Sequence, residues 1–419
     1  MKIQNLCGLE VLDSRGKPTV ACLMEADGLS VFSMVPSGAS TGAKEALELR
    51  DNDNNRYNGN GVQKAVSNIN SIIAPAILNS TWESQREFDQ FLLHLDGTPN
   101  KSKLGANAIL ATSLAFCKLQ AKLSKKNIWQ LFSDEPRIPV PLINVINGGV
   151  HADNSLDFQE FMIVPHGFRS FSEALRAGVE IFSALKGILK SDGMSVNVGD
   201  EGGFAPNYSS PFEVLDVLMK AVEKAGYETG HQVSLALDIA ASELFENNQY
   251  KLFKSNGEVL KTSQFIELIE KILKSYPVIS IEDPFAEDDT ESWHIFNQKF
   301  CKKAYIIGDD LLCTNKELIS KAIERKLING VLIKPNQIGT LTETLEAIEL
   351  AKRNNCIIAV SHRSGETEDT FLADLAVGTG AQFIKTGSVC RGERTCKYNR
   401  LLVIEKFSEA KFQSLSLDT

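Results

Sequence analysis

Apolar positions in the first third of the chain fall into two short strand-like runs, PTVACLMEA (18–26) and LSVFSMV (29–35). A longer stretch follows, KLGANAILATSLAFCKLQAKLS (103–124), in which Ala and Leu recur at helical spacing. The pattern predicts a modest α+β domain over residues 1–134. Around 133–141 the segment SDEPRIPVP holds three prolines in nine residues, which disfavours regular structure and marks a linker near Glu135. The rhythm then changes. Over 135–419, β-branched runs alternate with amphipathic stretches such as SQFIELIEKILKSY and LTETLEAIELAKRN, the signature of βα units. The runs read as strands are VPLINVI, FQEFMIVP, VSLALD, PVISIED, AYIIGDD, GVLIKP, CIIAVSH and AQFIKT, a number that suits a closed (β/α)8-type barrel in an α/β fold. Only a short loop separates the first two, so the barrel opens ββ rather than βα.

Composition narrows the class. At 419 residues, and roughly 150 per domain, two or three domains are expected. Hydrophobic residues make up 43% and charged residues 23%, which excludes a mainly disordered chain. The net charge of −9, with no long block of like charge, argues against a nucleic-acid or anionic-membrane surface. No apolar stretch reaches membrane-spanning length and the start MKIQNLCGLEVLDSRG lacks a signal core, so a cytoplasmic location is expected. A secondary cell-surface or secreted pool is not readable from the sequence. The eight cysteines form neither a CxxC nor a spaced Cys/His set and read as reduced structural thiols.

Six apolar runs end on, or next to, an ionisable side chain: Asp238, Glu282, Asp309, Lys334, His362 and Lys385. From Glu282 onward the spacings are 27, 25, 28 and 23 residues, about one βα unit each. One Asp or Lys after a strand is usually a solvated loop residue or a helix cap. Six in register are better explained by the barrel's C-terminal face, where active sites are built from several strands at once. Asp238, Glu282 and Asp309 supply hard oxygen donors and favour Mg²⁺. Lys334, His362, Arg363 and Lys385 suit an anionic substrate bearing carboxylate or phosphate. A lysine among so many cations is expected to have its pKa lowered and to act as a base near neutral pH. Three loops add chemistry. PSGASTGAKE (36–45) resembles a phosphate or lid loop without fitting a Walker A sequence, while NGGVHADN (147–154) and VGDEGGFAPN (198–207) set His151 and Glu201 beside paired glycines.

DSRGKPTV, PSGASTGAKEALELRD, LDGTPNKSKLGANAILA, NVINGGVHADN, QEFMIVP, VGDEGGFAPN, LALDIAASE, SIEDPF, GDDLLCTN, IKPNQIGTLTET, SHRSGETED and IKTG resemble, in order and spacing, the enolase family of glycolytic phosphopyruvate hydratases. The resemblance spans residues 2–405 and is most specific in SHRSGETED and NQIGTLTET. It implies an N-terminal α+β domain followed by a barrel with a ββαα(βα)6 opening, and the reversible Mg²⁺-dependent dehydration of 2-phospho-D-glycerate to phosphoenolpyruvate. By resemblance, Asp238, Glu282 and Asp309 hold a first Mg²⁺. Ser40 joins a second that arrives with the substrate phosphate. Lys334 is the base and Glu201 the acid, with Glu160 beside it. Arg363 and Ser364 bind phosphate, Lys385 the carboxylate, and His151, Gln159 and His362 complete the pocket.

The sequence departs from the family at Leu9, Lys17, Ala21, Val403 and Lys406. Enolases usually show Arg, Asn, Glu, Arg and Glu at those places, and the resemblance implies that four of them form two ion pairs across a homodimer. Both pairs are gone here, so a homodimer held by a more apolar contact, or one that dissociates more readily, is expected. The alternative readings are a paralogue acting on a related phosphonate or phosphorylated acid, and a binding protein that has kept the fold. Retention of both Lys334 and Glu201 favours the enzyme.

Overall fold

The computed structural model describes residues 1–38, 42–78 and 80–415. The N-terminal apolar runs form an antiparallel meander of β1 (Asn5–Leu12), β2 (Pro18–Ala26) and β3 (Leu29–Met34), with β2 central and almost wholly buried. Helix α1 (Gln85–Asp96) starts at Ser84, whose hydroxyl accepts from the Glu87 amide, and stops at Gly97, where φ is 73°. Helix α2 (Ala106–Leu123) is buried on nearly every face. Its Ala-rich sequence allows this, because small side chains let the meander approach from one side and the barrel from the other. Ser33 Oγ donates to the Ala111 carbonyl at 2.6 Å, and Ser113 Oγ accepts from the Leu341 amide at 3.0 Å.

Eight strands close the barrel: β4 (Val140–Asn147), β5 (Glu160–Pro165), β6 (Val233–Asp238), β7 (Val278–Glu282), β8 (Tyr305–Gly308), β9 (Gly330–Ile333), β10 (Ile357–Ser361) and β11 (Phe383–Lys385). Helices α3 (Phe171–Ser191) and α4 (Pro211–Lys224) both lie between β5 and β6. Thereafter α5 (Thr262–Ser275), α6 (Thr290–Phe300), α7 (Lys316–Glu324), α8 (Leu341–Arg353), α9 (Phe371–Gly378) and α10 (Gly392–Phe407) follow one strand each, which gives the ββαα(βα)6 order. Leu142, Met162, Ala236, Ile307, Leu332 and Phe383 fill the barrel interior, making it a packed core rather than a pore. The three-proline segment contributes the two-residue strand Arg137–Ile138, paired with Lys411–Phe412, and the first two residues of β4.

One topological detail positions the site. β5 runs antiparallel to both neighbours, whereas the remaining barrel pairs are parallel. Its first residue therefore lies on the rim where the other strands finish, and Glu160 pairs in register with Asn147 and Asp238.

The barrel is fastened to the N-terminal elements at the start of α8. Asp89 of α1, fully buried, accepts from the Thr342 amide at 2.8 Å, the Thr342 hydroxyl at 2.6 Å and Gln85 Nε2 at 3.0 Å. Replacing Asp89 with Ala leaves the buried Thr342 amide and hydroxyl without this acceptor, while Gln85 Nε2 keeps Ser113, and we expect a loss of about 1–3 kcal/mol. Urea denaturation checks this: an unchanged midpoint would show that the contact adds nothing to stability.

Candidate active site

The rim gathers residues far apart in sequence. Asp238, Glu282 and Lys385 end β6, β7 and β11, while Asp309 and Lys334 directly follow β8 and β9. His362, Arg363 and Ser364 follow β10, and Gln159 and Glu160 stand where β5 begins. His151 lies in the turn after β4, and Glu201 in the loop between α3 and α4. A small cavity is lined by His151, Gln159, Glu160, Glu201, Asp238, Lys334, Ser361, His362, Arg363, Ser364 and Lys385. Glu282 and Asp309 do not line it; they stand behind Lys385 and Lys334. Ser40 lies outside the described residues. A larger cleft, bordered by Phe132, Arg137, Lys352 and Gln382, opens at the opposite end of the strands and collects none of these groups.

Charge is densely paired. Lys385 Nζ lies 2.7 Å from Glu282 Oε2, 2.9 Å from Asp238 Oδ2 and 3.1 Å from Glu160 Oε1. Burial alone would lower its pKa, but these carboxylates outweigh burial and hold it well above the ordinary lysine value. Lys334 contacts Asp309 directly, and Gln337 Nε2 donates to the other oxygen of that carboxylate at 2.8 Å. The expectation of a lowered Lys334 is therefore reversed. Burial, Arg363 and Lys385 all push its pKa down, yet the touching Asp309 carboxylate outweighs them and raises it. Proximity is the reason, since Coulomb energy falls with distance and Asp309 is in direct contact.

On the other part of the cavity two carboxyls share one histidine: His151 Nδ1 lies 3.5 Å from Glu201 Oε1 and 3.8 Å from Glu160 Oε1. Burial and the neighbouring Glu201 charge raise Glu160 well above the usual carboxylate range. Burial also pushes Glu201 up, but His362, His151 and Arg394 overcome it and hold Glu201 well below that range. The two carboxyls are thus pushed in opposite directions, Glu160 towards its protonated form and Glu201 towards its ionised one. Burial lowers His151, and it lowers His362 to about 4, so both rings are neutral near pH 7.

Several supporting groups carry no strand-end signal in the sequence. Asn144, midway along β4, donates to Glu201 Oε2 at 3.1 Å; a polar residue inside the apolar run VPLINVI is its only mark. Glu45, within PSGASTGAKE, accepts from Arg363 Nη1 at 2.9 Å and Nη2 at 3.2 Å, joining the N-terminal loop to the site. Gln337 orients Asp309, and Gln159 Nε2 donates to Asp238 Oδ2 at 3.2 Å. Arg394, beyond the last strand, reaches His362.

The donor set fits a hard divalent cation. Glu282 Oε1 is buried with no partner, and the surrounding ligand atoms are carboxylate oxygens. A compact acidic set among the described residues is Asp283, Asp309 and Asp310, with one oxygen from each within 4.8 Å of the others, while Lys385 lies between Asp238 and Glu282. Burial and Asp309 raise Asp310 to about 7, and burial with Asp238 raises Glu282 to about 8, so crowded negative charge here calls for a cation.

Comparison with known proteins agrees with the fold. Residues 3–132 match the family described as enolase, N-terminal domain, and residues 135–416 match enolase, C-terminal TIM barrel domain. The chain is 51% identical over 408 residues to Enolase 1 of Chlorobaculum tepidum, covering 97% of this chain and 96% of that one. With a ββαα(βα)6 barrel and matches over both of its halves, this chain belongs to the enolase family.

Proposed function

We propose that the rim carries out the enolase reaction, the reversible dehydration of 2-phospho-D-glycerate to phosphoenolpyruvate and water, with Lys334 as base and Glu201 as acid. Phosphopyruvate hydratase activity, that of a lyase acting on a phosphorylated three-carbon acid, follows from the family. The residue assignment is supported above all by one observation: Lys334 and the Glu201–Glu160 pair line a single small cavity together with cationic groups for an anion.

Removing a proton beside a carboxylate puts a second negative charge on that group, so the barrier is mainly electrostatic. Lys385 receives the substrate carboxylate, and Arg363 and Ser364 receive the phosphate. Lys334 takes the C2 proton. Glu201 returns a proton to the departing hydroxyl, with Glu160 as the neighbouring store and His151, Gln159 and His362 completing the pocket. Enolases use Mg²⁺, which Asp238, Glu282 and Asp309 would hold; when bound it supplies Lewis-acid stabilisation of the growing carboxylate charge. A second ion, arriving with substrate and joined by Ser40, belongs to the same reading. Asp309, if engaged with such an ion, would pair less strongly with Lys334, leaving burial, Arg363 and Lys385 to lower the lysine's pKa.

The test is the absorbance of the enol double bond formed from 2-phosphoglycerate. Turnover should vanish on exhaustive chelation and return with Mg²⁺; undiminished turnover without divalent cation would overturn the assignment.

The division into domains 1–134 and 135–419 and a cytoplasmic location stand with this proposal. Among the described residues no helix is long and apolar enough to cross a membrane. For the homodimer, the exposed side chains Leu9, Val403 and Phe407 offer apolar surface. Ala21 does not, because it is wholly buried in its own subunit. The more apolar contact must therefore come from residues other than an Ala21–Val403 pair.

A further inference from the structure

Arg394, at the start of α10, has no solvent exposure, and its guanidinium sits among the loops that carry the site. Nη1 lies 2.6 Å from His362 Nδ1 and donates to the Arg363 carbonyl at 2.7 Å. Nη2 donates to the Ser364 carbonyl at 2.6 Å and to the Asp200 carbonyl at 3.0 Å, and Nε to Glu393 Oε1 at 3.3 Å. A guanidinium has donors and no acceptor, so His362 Nδ1 must be the accepting atom. A neutral ring that accepts at Nδ1 carries its proton on Nε2, and that nitrogen stands 3.4 Å from Glu201 Oε2. His362 is buried, which keeps the ring neutral and makes one tautomer a definable state. The neighbouring Arg391, at φ 71°, ties the same region by donating to the Gly199 carbonyl at 3.2 Å and the Ser14 carbonyl at 2.9 Å.

We propose that Arg394 is a positioning residue for the dehydration step: it fixes His362 in the Nε2–H tautomer facing Glu201, and it holds the Asp200–Glu201 loop against the Arg363–Ser364 loop. The proposal rests on the assignment of Glu201 as the acid. Arg394 touches no substrate-facing surface, since it does not line the cavity. Its effect reaches the reaction through the direction of one imidazole N–H and the seat of one carboxyl. A lysine could replace the charge but not the fork of donors, which serves the five acceptors named above at once.

The test begins with the Mg²⁺-loaded enzyme labelled with ¹⁵N-histidine. There are six histidines, and His362 is identified as the signal missing from His362→Gln. Its nitrogen shifts should show the Nε2–H tautomer near neutral pH; the Nδ1–H form or a doubly protonated ring overturns the proposal. Arg394→Lys should disturb that tautomer pattern and lower kcat for dehydration on the order of 10²-fold, with KM and C2-proton exchange changed by less than ~3-fold. In a His362→Gln background the same substitution should cost less than ~3-fold more, because the two residues act as one unit. A folded Arg394→Lys enzyme with an unaltered His362 spectrum or unaltered dehydration would refute it, as would fully additive losses. Failure of the acid assignment reads differently: Glu201→Gln would keep dehydrating while the His362 tautomer stayed as stated.

Discussion

Replacing Lys334 with Ala should abolish exchange of the substrate C2 proton with solvent and lower turnover by roughly 10⁴-fold, the upper range for loss of a positioned general base. Lys334 directly follows β9 and lines the cavity, and its ammonium rests against Asp309 with Arg363 and Lys385 close enough to act on its pKa. The methyl group left behind has no lone pair to take the proton. Lys385 is not expected to substitute, because three carboxylates hold it charged. Binding should suffer less than chemistry, since Arg363, Ser364 and Lys385 remain. Deuterium wash-in at C2, followed by mass spectrometry or proton NMR, measures the step directly. Exchange at the parent rate in the variant would remove Lys334 from the role of base.

Glu201→Gln separates the two halves of the reaction. Dehydration should fall by about 10²–10⁴-fold while C2 exchange persists, because the amide cannot deliver a proton to the departing hydroxyl whereas Lys334 is untouched. The shape of the site is retained: the introduced carboxamide keeps an oxygen able to accept from Asn144, which donates to Glu201 Oε2 at 3.1 Å in the parent. A further consequence falls on Glu160. Its pKa is raised by burial first and by the Glu201 charge second, so removing that charge should let it drop. Glu160 would then be a poorer proton store, and the loss should deepen as pH rises. Equal loss of exchange and dehydration would argue against a stepwise path with a separate proton removal.

Much of this site is legible in the chain alone. Asp238, Glu282, Asp309, Lys334, His362 and Lys385 stand at strand ends about one βα unit apart, and strand periodicity is a local property that a sequence displays directly. Glu160 carries no such mark. It stands at the beginning of an apolar run, and only the reversed direction of β5 brings it level with Asp238. Arg394 and Glu45 are invisible for a related reason: each acts across long sequence separation, with Glu45 meeting Arg363 and Arg394 meeting His362 through loops that no repeat places.

The sequence by itself determined the alternation that closes a barrel, the small-residue helix that can be buried on both sides, and the kinds of side chain available at the rim. Those follow from short-range patterning of size and polarity. Tertiary structure decided which charges touch. The cations around Lys334 suggest a depressed lysine, and direct contact with Asp309 makes it the opposite; the position of Ala21 suggests interface surface, and the residue is enclosed within its own subunit. Electrostatic energy depends on separations of a few ångströms and on exclusion of water. Neither quantity exists until the chain has folded, so the protonation pattern of this rim belongs to the structure and not to the list of its residues.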